Sequence, residues 1–225
     1  MKAAYFITGT DTGVGKTLIS SALINGFVSH GYKTAGMKPV AAGCELQDSE
    51  LISEDVTQLV LASNVTLPLR QINPYAFLPA LAPHIAAEQA GVNISLKVIT
   101  DAYRQASTQA DVVIVEGVGG FCVPLGDDID TADMAQRLGL PLIMVVGMRL
   151  GCLNHALLTA EAIKARGLKL AGWVANQIDP KMSAFEENLQ ALKERLGCPC
   201  LGVVPWSGEV NSVDVAKHLS EGIYS

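Results

Sequence analysis

Residues 3–17 read AAYFITGTDTGVGKT, and this stretch decides the fold of the 225-residue chain. The apolar run at its start predicts a strand, and residues 16–29 place apolar side chains at helical spacing. The glycine-rich loop therefore lies where a strand hands over to a helix, and the backbone amides at such a point bind phosphate oxygens. Lys16 adds a positive charge for the phosphates, and the Thr17 hydroxyl can ligate Mg²⁺. The stretch predicts a phosphate-binding loop.

The loop departs by one residue from the general pattern G-x4-G-K-[ST]. Counting back from Gly15 places the first glycine at Thr10, whereas the sequence has Gly9. The alternative is a Gly-Lys-Thr that occurs by chance. We favour phosphate binding because a strand, a glycine-rich turn and a helix follow one another in the required order.

Five more apolar runs of strand length follow, separated by segments of helical length, at residues 34–39, 111–116, 142–146, 170–176 and 201–204. Apolar strands without alternation indicate burial on both faces. Residues 154–166 and 183–196 predict helices, each closed by a glycine. We therefore predict an α/β fold, a mostly parallel β-sheet flanked by helices on both faces, in one domain over residues 1–225. Residues 43–109 read as helices and loops inserted on one side of the sheet.

The composition excludes several classes of function. The formal charge is −6 and the basic residues are scattered, which argues against a nucleic-acid partner. No segment reaches the ~20 apolar residues of a membrane span, and no secretory signal is recognised. Five irregularly spaced cysteines in such a chain indicate reduced thiols. We expect a cytoplasmic protein.

Two further residues stand at predicted strand ends. Glu116 closes the run 111–116 and leads into glycines, and Lys38 closes the second run. In a parallel sheet the carboxyl ends of strands face the ligand crevice. Glu116 is thus a candidate Mg²⁺ ligand, with an ordinary turn as the alternative, and Lys38 is a candidate partner of an anion.

Seven segments together resemble the dethiobiotin synthetase family, a member of the P-loop NTPase superfamily. They occur in the family's order and span nearly the whole chain: GTDTGVGKT at 9–17, KPVAAG at 38–43, NPYAF at 73–77 with PH at 83–84, EGVGG at 116–120, LGCLNHA at 150–156, GWVAN at 172–176 and PW at 205–206.

The resemblance implies an ATP- and Mg²⁺-dependent ligase of biotin synthesis. In that family CO₂ adds to an amino group of 7,8-diaminononanoate, the carbamate attacks the γ-phosphate of ATP, and the second amine closes the ureido ring. The family works as a homodimer.

The resemblance also implies roles for individual residues. The catalytic group is Lys16, Lys38 and Thr12, and the metal ligands are Thr17, Asp55 and Glu116. The substrate contacts are Ala42, Arg149 and Asn154, with Asn154 reaching across the dimer. The nucleotide contacts are Gly13, Val14, Gly15, Lys16, Thr17, Leu18, Asp55, Glu116, Gly117, Val118, Gly119, Asn176, Gln177, Pro205, Trp206, Ser207 and Glu209. For Asp55, a surface carboxylate on an amphipathic helix over residues 51–59 is the alternative.

Three positions depart from the family pattern. Ala42 stands where a serine is common, Arg149 where a lysine is common, and Gly13 where a glutamate is common.

Two other functions compete with the ligase. A nucleotide-switch ATPase of the ParA or MinD type shares the sheet and a related loop, but such proteins carry an early lysine in the loop, and here no lysine precedes Lys16. An amide-forming ligase generally needs a glutaminase domain, for which the chain has no room.

Overall fold

The computed structural model describes residues 2–208 and 211–224. Within these ranges the strands are β1 Ala3–Gly9, β2 Thr34–Met37, β3 Val40–Ala42, β4 Glu45–Gln47, β5 Glu50–Ile52, β6 Tyr75–Phe77, β7 Val112–Glu116, β8 Leu142–Met148, β9 Leu170–Gln177 and β10 Cys200–Val204. The helices are α1 Lys16–Ser29, α2 Glu54–Ala62, α3 Leu69–Ile72, α4 Pro83–Gln89, α5 Leu96–Gln109, α6 Thr131–Leu138, α7 Cys152–Ala165, α8 Phe185–Arg195 and α9 Ser212–Ala216, followed by a 3₁₀ turn at Glu221–Ile223.

Six strands form one parallel sheet in the order β10-β9-β8-β1-β7-β2. The first strand of the chain therefore lies inside the sheet, between β7 and β8. Because all six strands run the same way, their carboxyl ends meet at one edge, where ligands bind in such sheets. The α/β prediction and the parallel sheet are confirmed.

Both faces of the sheet are buried, as the unbroken apolar strands predict. Along β7, Val113 and Val115 pack into the hydrophobic cluster that includes residues of α5 and α6. The alternate residues Val112 and Ile114 pack into a second cluster with α1. Helices thus cover each face, which accounts for the lack of polar alternation in the strand.

The region 43–109 contains the predicted helices, but the sequence did not indicate two small sheets that involve it, one of which pairs β6 with β3 just before the region. β3 pairs with β6 in parallel, and β4 pairs with β5 as an antiparallel hairpin. Each of these strands has three residues, too short for a periodicity to be recognised. The helix predicted over 51–59 is also corrected: it begins at Glu54, because residues 50–52 belong to β5.

Within the described residues, none of the helices combines the length and apolar character that crossing a bilayer requires. The five cysteines are all free thiols.

Candidate active site

The loop between β1 and α1 is shaped by two close approaches at its glycines. Gly15 has φ of 89°, in the left-handed region, and a Cβ there would lie 2.2 Å from Asn176 Nδ2. A Cβ at Gly9 would lie 2.7 Å from a methyl carbon of Val14. The glycine that stands one residue early in the sequence is therefore required by packing inside the loop.

Lys16 begins α1 and is buried, with its ammonium donating to the Asp11 carbonyl at 3.1 Å. Burial, and next the positive charge of Lys38, lower the pKa of Lys16 to about 8, while Glu116 acts in the opposite direction. A cation held in this way gains strongly from an anionic ligand, because phosphate oxygens replace the hydration that burial removed and supply a counter-charge.

Lys38 lies directly after β2 and is the centre of a buried charge cluster. Its ammonium is 2.6 Å from Glu116 Oε1 and 2.7 Å from Asp55 Oδ2. Burial alone would lower the pKa of Lys38, but the two carboxylates raise it above its usual value. The structure thus brings together three residues that are far apart in the chain, and each lies at a position that the sequence analysis singled out.

The oxygens of this cluster are suited to a hard cation. The Thr17 hydroxyl donates to Glu116 Oε1 at 2.8 Å, and Glu116 Oε2 is buried without a hydrogen-bond partner. Burial disfavours the ionised form of Asp55, yet Lys38 outweighs it and the pKa of Asp55 is lowered. Two carboxylates and a hydroxyl are ligands that Mg²⁺ accepts, and the unpaired Glu116 Oε2 is an oxygen that can coordinate the metal ion. The residues present therefore fit a magnesium ion.

A cavity of about 890 Å³ opens over this cluster. Its walls come from the phosphate loop, the ends of β2, β3 and β7, the start of α2 and the segment before α4, namely Thr12, Gly13, Gly15, Lys16, Thr17, Lys38, Ala42, Asp55, Ala80, Leu81, Ala82, Pro83, Glu116, Val118, Gly119 and Val123. Thr12 and Gly119 face each other here, since a Cβ at Gly119 would lie 3.6 Å from Thr12 Oγ1. We call this space the reaction cavity.

A second cavity, of about 490 Å³, is bordered by Asn176. Its lining residues are Leu18, Asn176, Gln177, Ile178, Val204, Pro205, Trp206, Ser207, Asn211, Asp214, Val215 and His218. Asn176 donates to the Val14 carbonyl at 2.9 Å, and Gln177 Oε1 accepts from the Trp206 amide at 3.3 Å. Trp206 is 51% exposed, and its ring is available for stacking. We call this space the base cavity.

Among the described residues, four expected site residues line neither cavity: Val14, Gly117, Arg149 and Asn154. Arg149 pairs with Asp11 of the phosphate loop at 2.6 Å, and Asn154 is exposed on α7. Glu209 lies outside the described residues.

Sequence reasoning missed other members of the site. Asp11 stands in the quoted loop, where its carboxylate accepts from the Thr12 amide at 2.7 Å and pairs with Arg149, so the motif itself carried a signal. The cavity walls from Ala80, Leu81 and Ala82 and from α9 carried none, because apolar loop residues and a five-residue helix have no pattern that marks a ligand site.

Known proteins similar to this chain agree on a family. A family model described as "AAA domain" matches residues 3–213. The chain is 52% identical to the ATP-dependent dethiobiotin synthetase BioD of Nitrosospira multiformis, over 97% of this chain and 95% of that protein. It is 54% identical to the protein of the same name from Aromatoleum aromaticum, over 96% of each.

Solved structures agree on the fold alone. A ParA family ATPase from Chlorobium tepidum has a TM-score of 0.58 at 15% identity, covering 97% of this chain and 100% of that one. The septum site-determining protein MinD from Pyrococcus horikoshii, solved with Mg-ADP, has a TM-score of 0.56 at 17% identity, covering 91% of this chain and 82% of that one. At such identities the likeness shows a shared fold and nothing about function.

Proposed function

This chain belongs to the ATP-dependent dethiobiotin synthetase family, and on that premise we propose that it closes the ureido ring of dethiobiotin from 7,8-diaminononanoate, CO₂ and ATP. One amine adds to CO₂ and loses a proton, giving a carbamate. A carbamate oxygen attacks the γ-phosphorus and ADP leaves. The second amine then attacks the carbamoyl carbon and loses a proton, the C–O bond to the phosphoryl group breaks, and inorganic phosphate departs as the ring closes.

The observation that carries this proposal is the meeting of Lys16 and Lys38 in the reaction cavity, beside the phosphate loop. The carbamate and the transferring phosphoryl group are both anionic, so catalysis depends on positioning them and stabilising their charge. Lys16 faces the phosphates from the start of α1, and Lys38 faces the carbamate from the end of β2. Thr12, on the wall opposite Gly119, donates its hydroxyl to the same anions.

We assign the metal ligands to Thr17, Asp55 and Glu116, which line the reaction cavity together and contact each other or Lys38. A magnesium ion bound there would neutralise charge on the β- and γ-phosphates. Glu116 is fully buried and Asp55 partly exposed, so the site combines a rigid ligand with one that solvent can reach.

The base cavity fits the adenine. Asn176 commits its amide nitrogen to Val14, which leaves its oxygen free to accept from an exocyclic amine. Trp206 and Pro205 offer apolar surface for the ring, and Gln177 orients that segment through the Trp206 amide. Gly13, Val14, Gly15 and Leu18 then connect the base to the phosphates along the loop and the first turn of α1.

We propose a homodimer that uses the α7 face. Leu150 is 96% exposed and Leu158 61% exposed, and both lie on the segment that carries Asn154. Exposed leucines of this kind favour burial against another protein surface. A second copy docked there would bring its Asn154 towards the reaction cavity.

The scattered charge and the free thiols support a cytoplasmic location.

The direct test mixes the protein with Mg-ATP, bicarbonate and 7,8-diaminononanoate and follows the ureido product together with phosphate release. We expect one phosphate released per ring closed. Lys38→Ala should reduce turnover at least ~100-fold, the effect of losing a strong electrostatic stabiliser. Lys97→Ala, which removes an exposed lysine far from the cavity, is the matched control and should retain full turnover. A rate of ATP hydrolysis that does not change when the diamine is added would refute the ligase function and favour a nucleotide-switch ATPase.

A further inference from the structure

We infer that Lys38 is an exchangeable counter-ion of the metal site: its ammonium neutralises Asp55 and Glu116 until a divalent cation replaces it, and the displaced ammonium then moves to the anionic substrate. This inference rests on the proposed function, because it concerns the same three metal ligands. It assigns Lys38 two successive partners, where the proposal above requires only the second.

The geometry places one ammonium where a metal ion would have to bind. Lys38 Nζ is 2.6 Å from Glu116 and 2.7 Å from Asp55, so both candidate carboxylate ligands point at the same cation. The Thr17 hydroxyl, the third candidate ligand, donates to the same Glu116 oxygen that Lys38 contacts. The lysine thus holds the ligand set together.

Among the described residues only Lys38 forms an ion pair with these carboxylates, while Lys16 acts on them at longer range, and this favours exchange over a permanent ion pair. One ammonium faces two carboxylates, while Glu116 Oε2 is buried and has no hydrogen-bond partner. A divalent cation would match both charges and take up the unpaired oxygen. An ammonium and a divalent ion cannot share the space between the same two oxygens, because their repulsion is strong where water is excluded.

The surroundings provide a way in for the ion and a destination for the lysine. The Asp55 side chain is 42% exposed, so a hydrated cation can reach the pair from the cavity side. Lys38 itself lines the reaction cavity. A flexible four-carbon stem lets its ammonium turn from the carboxylates to an anion in that cavity without movement of the backbone. Metal binding would therefore supply the free cation that the carbamate needs, and would do so only when the nucleotide's metal is in place.

The test measures Mn²⁺ binding to the nucleotide-free protein by electron paramagnetic resonance, since free Mn²⁺ gives a signal that bound Mn²⁺ loses. Lys38→Met should bind Mn²⁺ at least ~10-fold more tightly than the unsubstituted protein, because the competing ammonium is gone. The critical control is Lys16→Met. It removes an equal charge from the same cavity, but from a lysine that donates to the Asp11 carbonyl and lies outside the carboxylate pair. Its affinity for Mn²⁺ should rise by ~3-fold or less. Equal gains in the two variants, or no gain in Lys38→Met, would overturn the inference.

A second measurement covers the case in which Lys38→Met folds poorly. Thermal unfolding of this variant should shift upwards by several degrees when Mg²⁺ replaces EDTA, because the ion takes over the role of the missing ammonium. The unsubstituted protein should shift far less. An equal shift in Lys38→Met and in the unsubstituted protein, or no shift in Lys38→Met, would reject the exchange. Failure of the proposed ligase function is a separate result, seen as ATP hydrolysis that does not depend on the diamine.

Discussion

Two ion pairs of equal length lie at or beside the phosphate loop, and they differ in how far their side chains are buried. Lys38–Glu116 and Arg149–Asp11 both measure 2.6 Å. The side chains of the first pair are 5% and 0% exposed, and those of the second are 44% and 43% exposed. Loss of one partner leaves an uncompensated buried charge in the first pair, whereas water and salt take over in the second. Burial, rather than the contact distance, decides what each pair contributes.

The largest effect is expected on the buried side. Glu116→Gln removes the carboxylate that Lys38 and Thr17 share and should lower the free energy of unfolding by about 3 kcal/mol. It should also reduce turnover at least ~100-fold through loss of a metal ligand. Urea denaturation and the product assay measure the two effects. Asp101→Asn, at the exposed pair with Lys97, is the control and should leave both unchanged. A fall in turnover with unaltered stability would contradict the buried-pair argument.

A backbone change tests the loop between the two pairs. Gly15→Ala combines a left-handed φ with a clash against Asn176, and we expect ATP affinity to fall ~100-fold, measured by calorimetry. Gly31→Ala is matched in φ, at 82°, but a Cβ there meets nothing within 4 Å. It should cost about 1 kcal/mol of stability and leave ATP affinity intact. Similar affinities in the two variants would show that the Asn176 contact is unimportant.

The pH dependence of nucleotide binding sharpens the comparison further, because Lys16 shares the buried environment. With its pKa lowered to about 8, Lys16 is charged below that pH and loses its proton above it. ATP affinity should therefore be constant up to about pH 7 and fall as the pH rises through 8. Lys38→Met should move this fall to higher pH, since the positive charge of Lys38 contributes to lowering the pKa. If the pH dependence of ATP affinity were unchanged in Lys38→Met, the charge of Lys38 would have no effect on the pKa of Lys16, and the prediction would be wrong.

The smallest effect is expected on the exposed side. Arg149→Met breaks the pair with Asp11, and the free energy of unfolding should change by less than ~1 kcal/mol. Because Asp11 also accepts from the Thr12 amide, turnover should fall by a few-fold, with most of the loss recovered by Arg149→Lys. A loss of stability as large as that of Glu116→Gln would overturn the comparison from which these predictions proceed.

The fold was predictable because its elements are long and locally consistent. The helix expected over 16–29 is α1 with the same bounds, and the unbroken apolar run at 142–146 lies within β8. The three-residue strands β3 to β6 were not predicted, since an alternation of polar and apolar residues cannot be recognised over so short a stretch.

The candidate site was predictable only in part. Lys38 and Glu116 could be placed at strand ends, but their contact depends on β2 and β7 lying side by side, which the sequence does not state. The pairing of Asp55 with Lys38 depends on where α2 begins. The predicted start of this helix was wrong, because the β4–β5 hairpin before it was not predicted. The roles given to single residues remain predictions.

The sheet order also has a consequence for how the protein is made. β1 needs both β7 and β8 as neighbours, and the ends of these two strands follow Gly9 by about 107 and 139 residues. At about 5–20 residues per second, the nascent chain carries an unpaired apolar segment for roughly 7 to 28 seconds before both partners are synthesised. During that interval the segment is a target for chaperones and a hazard for aggregation, and ATP can contribute nothing to its stability until the centre of the sheet has closed.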